Sequence, residues 1–166
     1  MSDTMADARR DLVFTRVFDA PVERVWRAWT AADDVRRWWG PDGFTAPVAE
    51  MDVREGGTTL VAMSSPEYGT SYSTWRYREV RPLERLVYVH NLADKDGNSV
   101  DPAALGMPPD FPRDQVHVVS FKDLGDGRTE VTMVEHGWTE GQMMEFSRLG
   151  MEQCLDKMAA SLQAPS

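Results

Sequence analysis

The chain has 166 residues, of which 18 are Lys or Arg and 27 are Asp or Glu, so its formal net charge at pH 7 is −9. That length is typical of one domain, which buries about 70% of its unfolded surface and needs no disulfide or metal to fold. The negative charge argues against nucleic acid and anionic membranes as partners, because both attract clustered Lys and Arg.

Cysteine usage and hydropathy narrow the class of protein further. Cys154 is the single cysteine, which excludes an internal disulfide and a CxxC zinc site and is typical of a reducing cytoplasm. No stretch approaches ~18 consecutive apolar residues, so no membrane-spanning helix is predicted. Residues 1–11 lack the apolar core of a secretory signal and are predicted to be a disordered tail before a single domain over residues 12–162.

A strand and two short helices are predicted in the first quarter of the chain. Residues Leu12–Phe18 are rich in Val and Phe, as strands are. Pro21 suits the first turn of a helix, whose apolar stripe at helical spacing consists of Val22, Val25, Trp26 and Trp29. A second short helix is predicted through Val35 to Trp38 or Trp39.

The central part of the chain is predominantly β in pattern, and the end is helical. Turn residues separate six candidate strands, which are Phe44–Val53, Thr58–Met63, Ser71–Val80, Leu86–Leu92, Gln115–Lys122 and Thr129–His136. Thr139 and Gln142 are predicted to form the capping box of a last helix of about 20 residues. Strands that follow one another through short turns pair antiparallel. We therefore predict an α+β helix-grip fold, in which a curved antiparallel sheet wraps around a long C-terminal helix.

Residues 94–114 interrupt this pattern with four prolines and no periodicity. Loops of this length are uncommon and often functional. Two interpretations stay open: a surface insertion, or a lid over the mouth of a cavity. In the second case Leu105, Met107 and Phe111 are the apolar side chains that would close the mouth.

Period two in two neighbouring strands predicts a polar pair inside the domain. His117, Val119 and Phe121 share one face of their strand, and Val131, Met133 and Glu135 share one face of the next. If Phe121 pairs with Val131, then Val119 meets Met133 and His117 meets Glu135. A buried His–carboxylate pair could be structural, could orient a ligand, or could transfer a proton.

Further candidates for lining a cavity are aromatic residues and methionines. Each is equally explained by core packing, although the flexible thioether of Met also suits an adaptable pocket. These candidates are Trp38, Phe44, Met63, Trp75, Tyr77, Met144 and Met151. No HExxH, GxSxG or phosphate-binding glycine motif occurs, so neither a metal nor a cofactor is predicted, and no catalytic residue is assigned.

Several separated motifs resemble the activator-of-heat-shock-protein-ATPase homologue (Aha-type) domain, a family of the START/Bet v 1-like (SRPBCC) superfamily. The similarity spans roughly residues 12–162 and rests on Arg16–Pro21, Val25-Trp26, Trp38–Phe44, Asp52–Gly57, Glu84–Tyr88, Phe121–Asp123 and Gly127–Thr129. It implies a helix-grip fold with a cavity between the sheet and the long helix that holds a small apolar molecule.

We therefore expect a cytoplasmic protein that binds a small hydrophobic molecule, such as a lipid, in an internal cavity. One alternative is a cyclase or dehydratase acting on an aromatic or polyketide-like substrate, which needs His117 and Glu135 for proton transfer. Another is a module that regulates a chaperone. A homodimer is also possible, whereas nucleic acid and membranes are not expected as partners.

Overall fold

The computed structural model describes residues 9–163, which form seven strands, three α-helices and one 3-10 helix. In chain order these are β1 Arg9–Phe18, α1 Val22–Thr30, α2 Ala32–Trp38, β2 Thr45–Glu50, β3 Thr58–Ser65, β4 Gly69–Arg81, β5 Arg85–Ala93, the 3-10 helix Pro102–Leu105, β6 Gln115–Asp123, β7 Thr129–Thr139 and α3 Gln142–Gln163.

All seven strands belong to one curved antiparallel sheet in the order β1-β7-β6-β5-β4-β3-β2. The helix α3 packs against its concave face, because one stripe of α3 is apolar and buried: Met144, Met151, Cys154, Leu155, Met158 and Leu162. The short helices α1 and α2 add Val25, Trp29, Val35 and Trp38 to the same core. The predicted α+β helix-grip fold is confirmed.

Two predicted boundaries near the ends of the domain are wrong. The strand β1 begins at Arg9, so residues 9–11 of the predicted tail are part of the sheet, and residues 1–8 of that tail lie outside the described residues. Thr139 pairs with Arg9 as the last residue of β7 and does not cap the last helix, which begins at Gln142. The strand β7 continues beyond its predicted end because a bulge at Gly137, where φ is +77°, preserves the pairing with β1.

The segment between β2 and β3 turns tightly against β4. The backbone N–H of Gly56 donates to the carbonyl of Tyr77 (2.9 Å), and the N–H of Tyr77 donates to the carbonyl of Gly57 (3.0 Å). A Cβ atom on Gly57 would lie 2.3 Å from the backbone oxygen of Asp52. Only glycine fits there. The strand β2 ends at Glu50, before the predicted Val53.

Three cationic side chains fix α3 to its surroundings. Arg16 of β1 forms ion pairs with Glu152 (2.7 Å) and Asp156 (2.9 Å). The Nζ atom of Lys157 donates to the carbonyls of Gly40 and Phe44, at 2.8 and 3.2 Å. Arg24 of α1 donates to backbone oxygens in the last turn of α3, which have no partner within the helix. These contacts hold α3 at both edges of the sheet.

Candidate functional site

Most of the predicted cavity residues lie in the core between the sheet and α3. Ten of them are buried: Trp38, Trp75, Tyr77, His117, Val119, Phe121, Met133, Glu135, Met144 and Met151. Phe44 and Met63 are partly exposed. The ring of Phe44 stacks on the exposed ring of Tyr68, with centroids 6.1 Å apart, so Phe44 lies at the rim of this region.

The predicted register of β6 and β7 is confirmed. Phe121 pairs with Val131, Val119 with Met133, and His117 with Glu135. His117 and Glu135 are 5% and 6% exposed, so both face the interior. The two strands hold this register because a one-residue slip would move every apolar side chain of one strand to the outer face.

His117 directs its hydrogen bonds away from Glu135. Its Nε2 atom lies 2.8 Å from Oε1 of Gln115, and its Nδ1 atom lies 3.3 Å from the hydroxyl of Tyr88. The amide nitrogen of Gln115 donates to the carbonyl of His136 (3.0 Å), which leaves Oε1 as the acceptor for His117. The ring therefore donates from Nε2 and accepts the Tyr88 hydroxyl proton at Nδ1.

Burial keeps the imidazole of His117 neutral. Burial lowers the pKa of His117 well below its usual value, and the neighbouring histidines His90 and His136 lower it further. Both ring nitrogens are occupied, so His117 serves as a structural link between β5 and β7 and has no free nitrogen for a bound molecule.

Glu135 accepts a hydrogen bond from an indole. The Nε1 atom of Trp138 lies 3.0 Å from its Oε1 atom. Burial raises the pKa of Glu135 to about 7, and the indole hydrogen bond partly offsets this rise. A carboxyl group with this pKa exchanges its proton readily near neutral pH.

His90 of β5 is a polar group that the sequence interpretation did not select. Its ring lies parallel to that of His117, with centroids 5.0 Å apart and an interplanar angle of 7°. Burial lowers the pKa of His90 to about 4, so the ring is neutral at pH 7. Among residues 9–163 its ring nitrogens have no hydrogen-bond partner. Period two along β5 could have identified it, since Leu86, Tyr88 and His90 share one face.

Four tryptophans form an aromatic cluster beside His90. Trp29, Trp38, Trp39 and Trp75 have ring centroids 4.8 to 6.4 Å apart. The indole nitrogen of Trp38 donates to the carbonyl of Ala28 at 2.7 Å. The indole nitrogens of the other three are buried without a hydrogen-bond partner within the described part of the chain, although buried indole N–H groups usually have one.

A separate cleft of about 470 Å³ opens beside β7. It is lined by Arg9, residues 109–116, His136, Gly137 and Thr139. Its lining combines Val116 and His136, which have the opposite parity to His117 and Glu135, with Gln115, which has the same parity as His117, so the cleft lies at the end of β6 and β7 beneath residues 109–114. None of the twelve predicted cavity residues lines it.

The segment 94–114 is tied to the domain at several points. The side chain of Asn91 and Asp114 exchange two hydrogen bonds, of 2.9 and 2.8 Å. Phe111 packs edge-on against Trp138 with centroids 5.6 Å apart, whereas Leu105 is 50% exposed. Of the three apolar residues proposed to close a cavity, Phe111 packs on Trp138, whose indole donates to Glu135.

Neither a metal site nor a membrane-spanning helix is found among residues 9–163. No three His, Cys, Asp or Glu side chains converge there as metal ligands would. No helix in this part of the chain is both long and apolar enough to cross a bilayer.

Comparison with known proteins gives a family and a set of similar folds. The model of the "Activator of Hsp90 ATPase homolog 1-like protein" family matches residues 19–163, whereas no functionally curated protein matches the chain. A crystal structure of a Chromobacterium violaceum protein is 26% identical, with a TM-score of 0.75, covering 93% of this chain and 98% of its own. A solution structure from Arthrobacter aurescens is 25% identical, with a TM-score of 0.75, and the overlap covers 94% of this chain and 87% of the other. The AHSA1 protein of Silicibacter pomeroyi shares the fold, with a TM-score of 0.73 and 17% identity. That match covers 92% of this chain and 97% of the other.

Proposed function

Since this chain belongs to the Activator of Hsp90 ATPase homolog 1-like family, we propose that it binds a small hydrophobic molecule between the sheet and α3. The observation that carries this proposal is the group of three buried indole N–H donors without a partner, on Trp29, Trp39 and Trp75. An unsatisfied buried donor costs about 1–3 kcal/mol, and a ligand oxygen would recover that cost.

The composition of the surrounding core supports the same proposal. Met144, Met151 and Met158 face the sheet from α3, and Met side chains adapt to ligands of different shape. Apolar surface removed from water contributes about 25 cal/mol per Å², before the cost of ordering the ligand. Polar groups at one end, including Tyr88 and His90, would fix the orientation of the bound molecule.

A neutral fluorophore tests the proposal. We expect N-phenyl-1-naphthylamine to bind saturably, with one site per chain and an increase in its emission. Replacing Met151, which is 6% exposed, by Trp adds bulk between helix and sheet and should abolish binding. Leu149 lies on the same helix but is 59% exposed, so Leu149→Trp is the matched control and should bind as the parent does.

Far-UV circular dichroism of both variants establishes that they fold. Binding that is equally strong in the folded Met151→Trp variant would place the fluorophore elsewhere and refute the internal site. Absence of saturable binding in the parent protein would refute hydrophobic ligand binding itself.

Proton transfer to the bound molecule is a second candidate, which the pKa of Glu135 near 7 favours. Glu135 rather than His117 would act as the acid or base, since both nitrogens of His117 are engaged. NMR can follow exchange of the α-protons of 2-tetralone in deuterated water. If the parent protein and Glu135→Gln accelerate this exchange equally, Glu135 does not take part in the reaction. The chaperone-regulating role, the homodimer and the lid stay predictions.

A further inference from the structure

No Lys or Arg side chain of residues 9–163 is buried in the interior between the sheet and α3. Among residues 9–163 the buried polar or charged side chains are Thr59, Ser73, Thr74, Gln115, His117, Thr129 and Glu135. Glu135 is the one acid in this set, and no Lys or Arg belongs to it. The partly buried cations Arg16 and Lys157 are held by carboxylates of α3 and by backbone carbonyls.

Two unpartnered polar side chains lie next to each other here: Trp75 is buried in this interior, and His90 is partly exposed at its margin. Trp75 of β4 and His90 of β5 are direct partners across the two strands, so their side chains project from the same face. The indole N–H of Trp75, a residue 1% exposed, has no acceptor within the described residues. A neutral imidazole offers one donor and one acceptor. Together the two neutral side chains can accept one hydrogen bond and donate two.

A hydroxyl group matches this arrangement. It can accept from the indole N–H and donate to the unprotonated nitrogen of His90. The adjoining rings of Trp29, Trp39 and Tyr88, which pack against Trp75 with centroids 5.0 to 6.4 Å apart, form an aromatic surface beside the pair. Aromatic rings favour edge-to-face or offset contacts with other rings.

A carboxylate does not match it. An anion moved from water into this region would lose its hydration without gaining a cation. It would also approach Glu135, whose ionisation would add repulsion between like charges.

Resting on the function proposed above, we infer that the site selects an uncharged hydroxylated aromatic molecule, holding its hydroxyl between Trp75 and His90, and discriminates against carboxylates. The internal site would therefore reject ionised fatty acids and aromatic acids. It would accept phenols and neutral alcohols of similar shape.

Three naphthalenes of similar size test this inference by isothermal titration calorimetry at neutral pH: naphthalene, 2-naphthol and 2-naphthoate. We expect 2-naphthol to bind at least about tenfold more tightly than 2-naphthoate, because burying one unpaired carboxylate lowers the affinity by at least that factor. His90→Phe keeps the ring stacked on His117 but removes both nitrogens. It should weaken 2-naphthol by about tenfold and leave naphthalene unchanged.

His136→Phe is the matched control, because His136 faces the outer side of the sheet and should not affect any of the three probes. Trp75→Phe tests the other side of the hydroxyl and should weaken 2-naphthol more than naphthalene, because both probes lose ring contact but only 2-naphthol loses a hydrogen bond; this keeps the inference testable if His90→Phe does not fold. Glu135→Gln should improve 2-naphthoate alone.

The possible failures are distinguishable. If 2-naphthoate binds as tightly as 2-naphthol, or if both the His90 and Trp75 variants retain full affinity for 2-naphthol, the inferred selectivity is wrong while hydrophobic binding stands. If neither naphthalene nor the neutral fluorophore binds, the proposed function itself is refuted.

Discussion

Ionisation of Glu135 should make the folded protein less stable as the pH rises. Burial raises the pKa of this carboxyl group from 4.5 to about 7, so the folded state holds its proton more tightly than the unfolded chain does. The stabilising effect of that proton is complete below pH 4.5 and is lost as the pH rises through 7. The difference corresponds to about 3 kcal/mol well above pH 7, and most of it develops between pH 5 and pH 8.

Glu135→Gln removes this dependence, because the amide keeps an acceptor for Trp138 and carries no titratable proton. Urea unfolding followed by tryptophan fluorescence at pH 5 and pH 8 gives the free energy of unfolding of each protein. We expect the parent to lose about 2–3 kcal/mol more than the variant between the two pH values. Comparing the two proteins cancels the contribution of His90, which acts in the opposite direction over part of this range.

Glu130→Gln is the control, since Glu130 lies on the same strand with the opposite parity and faces outward. This control should show the pH dependence of the parent. If Glu135→Gln also follows the parent, then Glu135 does not change its pKa on folding, and the neutral interior that we describe is wrong.

Three further substitutions test other parts of the structure. Gly57→Ala should lower the free energy of chemical unfolding by about 3 kcal/mol, because its Cβ overlaps a backbone oxygen. Gly56→Ala, at a positive φ with open space around it, should cost about 1 kcal/mol. Equal costs would refute the close approach at Gly57. Trp38→Phe should be more destabilising than Trp75→Phe by about 1–3 kcal/mol, because only the first leaves a carbonyl, that of Ala28, without its donor. Thermal unfolding in which Trp75→Phe is the less stable variant would contradict this hydrogen bond. The stability that depends on neutral His90 should be present above pH 6.5 and be lost as the pH falls toward its folded pKa of about 4. His90→Phe should therefore flatten the fall in unfolding free energy at acid pH. An unchanged fall in the variant would show that the pKa of His90 does not change on folding.

The strand register was predictable because it depends on local alternation. In β6 and β7 the inward residues Phe121, Val131 and Met133 alternate with mostly polar ones, and a short turn joins the strands, so one pairing keeps both inward sets inside. The prediction that His117 lies opposite Glu135 needed nothing beyond this pattern, and it is confirmed.

The hydrogen bonds of the same residues were not predictable from that pattern. His117 bonds to Tyr88 on a neighbouring strand and to Gln115 two residues away. Which of several polar side chains reaches a given nitrogen depends on distances of a few tenths of an ångström across three strands. Period two along β5 places His90 on the face of Tyr88, but that pattern does not show that its ring stacks on His117 of the neighbouring strand.

The bulge at Gly137 determines the hydrogen-bond partner of Glu135. Strict alternation would place residue 138 on the outer face of β7, but the extra residue at the bulge turns Trp138 inward, to the face of Glu135. The donor that meets the carboxylate is consequently an uncharged indole. A lysine or arginine there would hold the carboxylate ionised, with its pKa below the ordinary value, and would give the interior a cation able to bind anions. The bulge therefore joins two properties, a carboxyl group that titrates near pH 7 and an interior suited to uncharged ligands, in one local feature of the backbone.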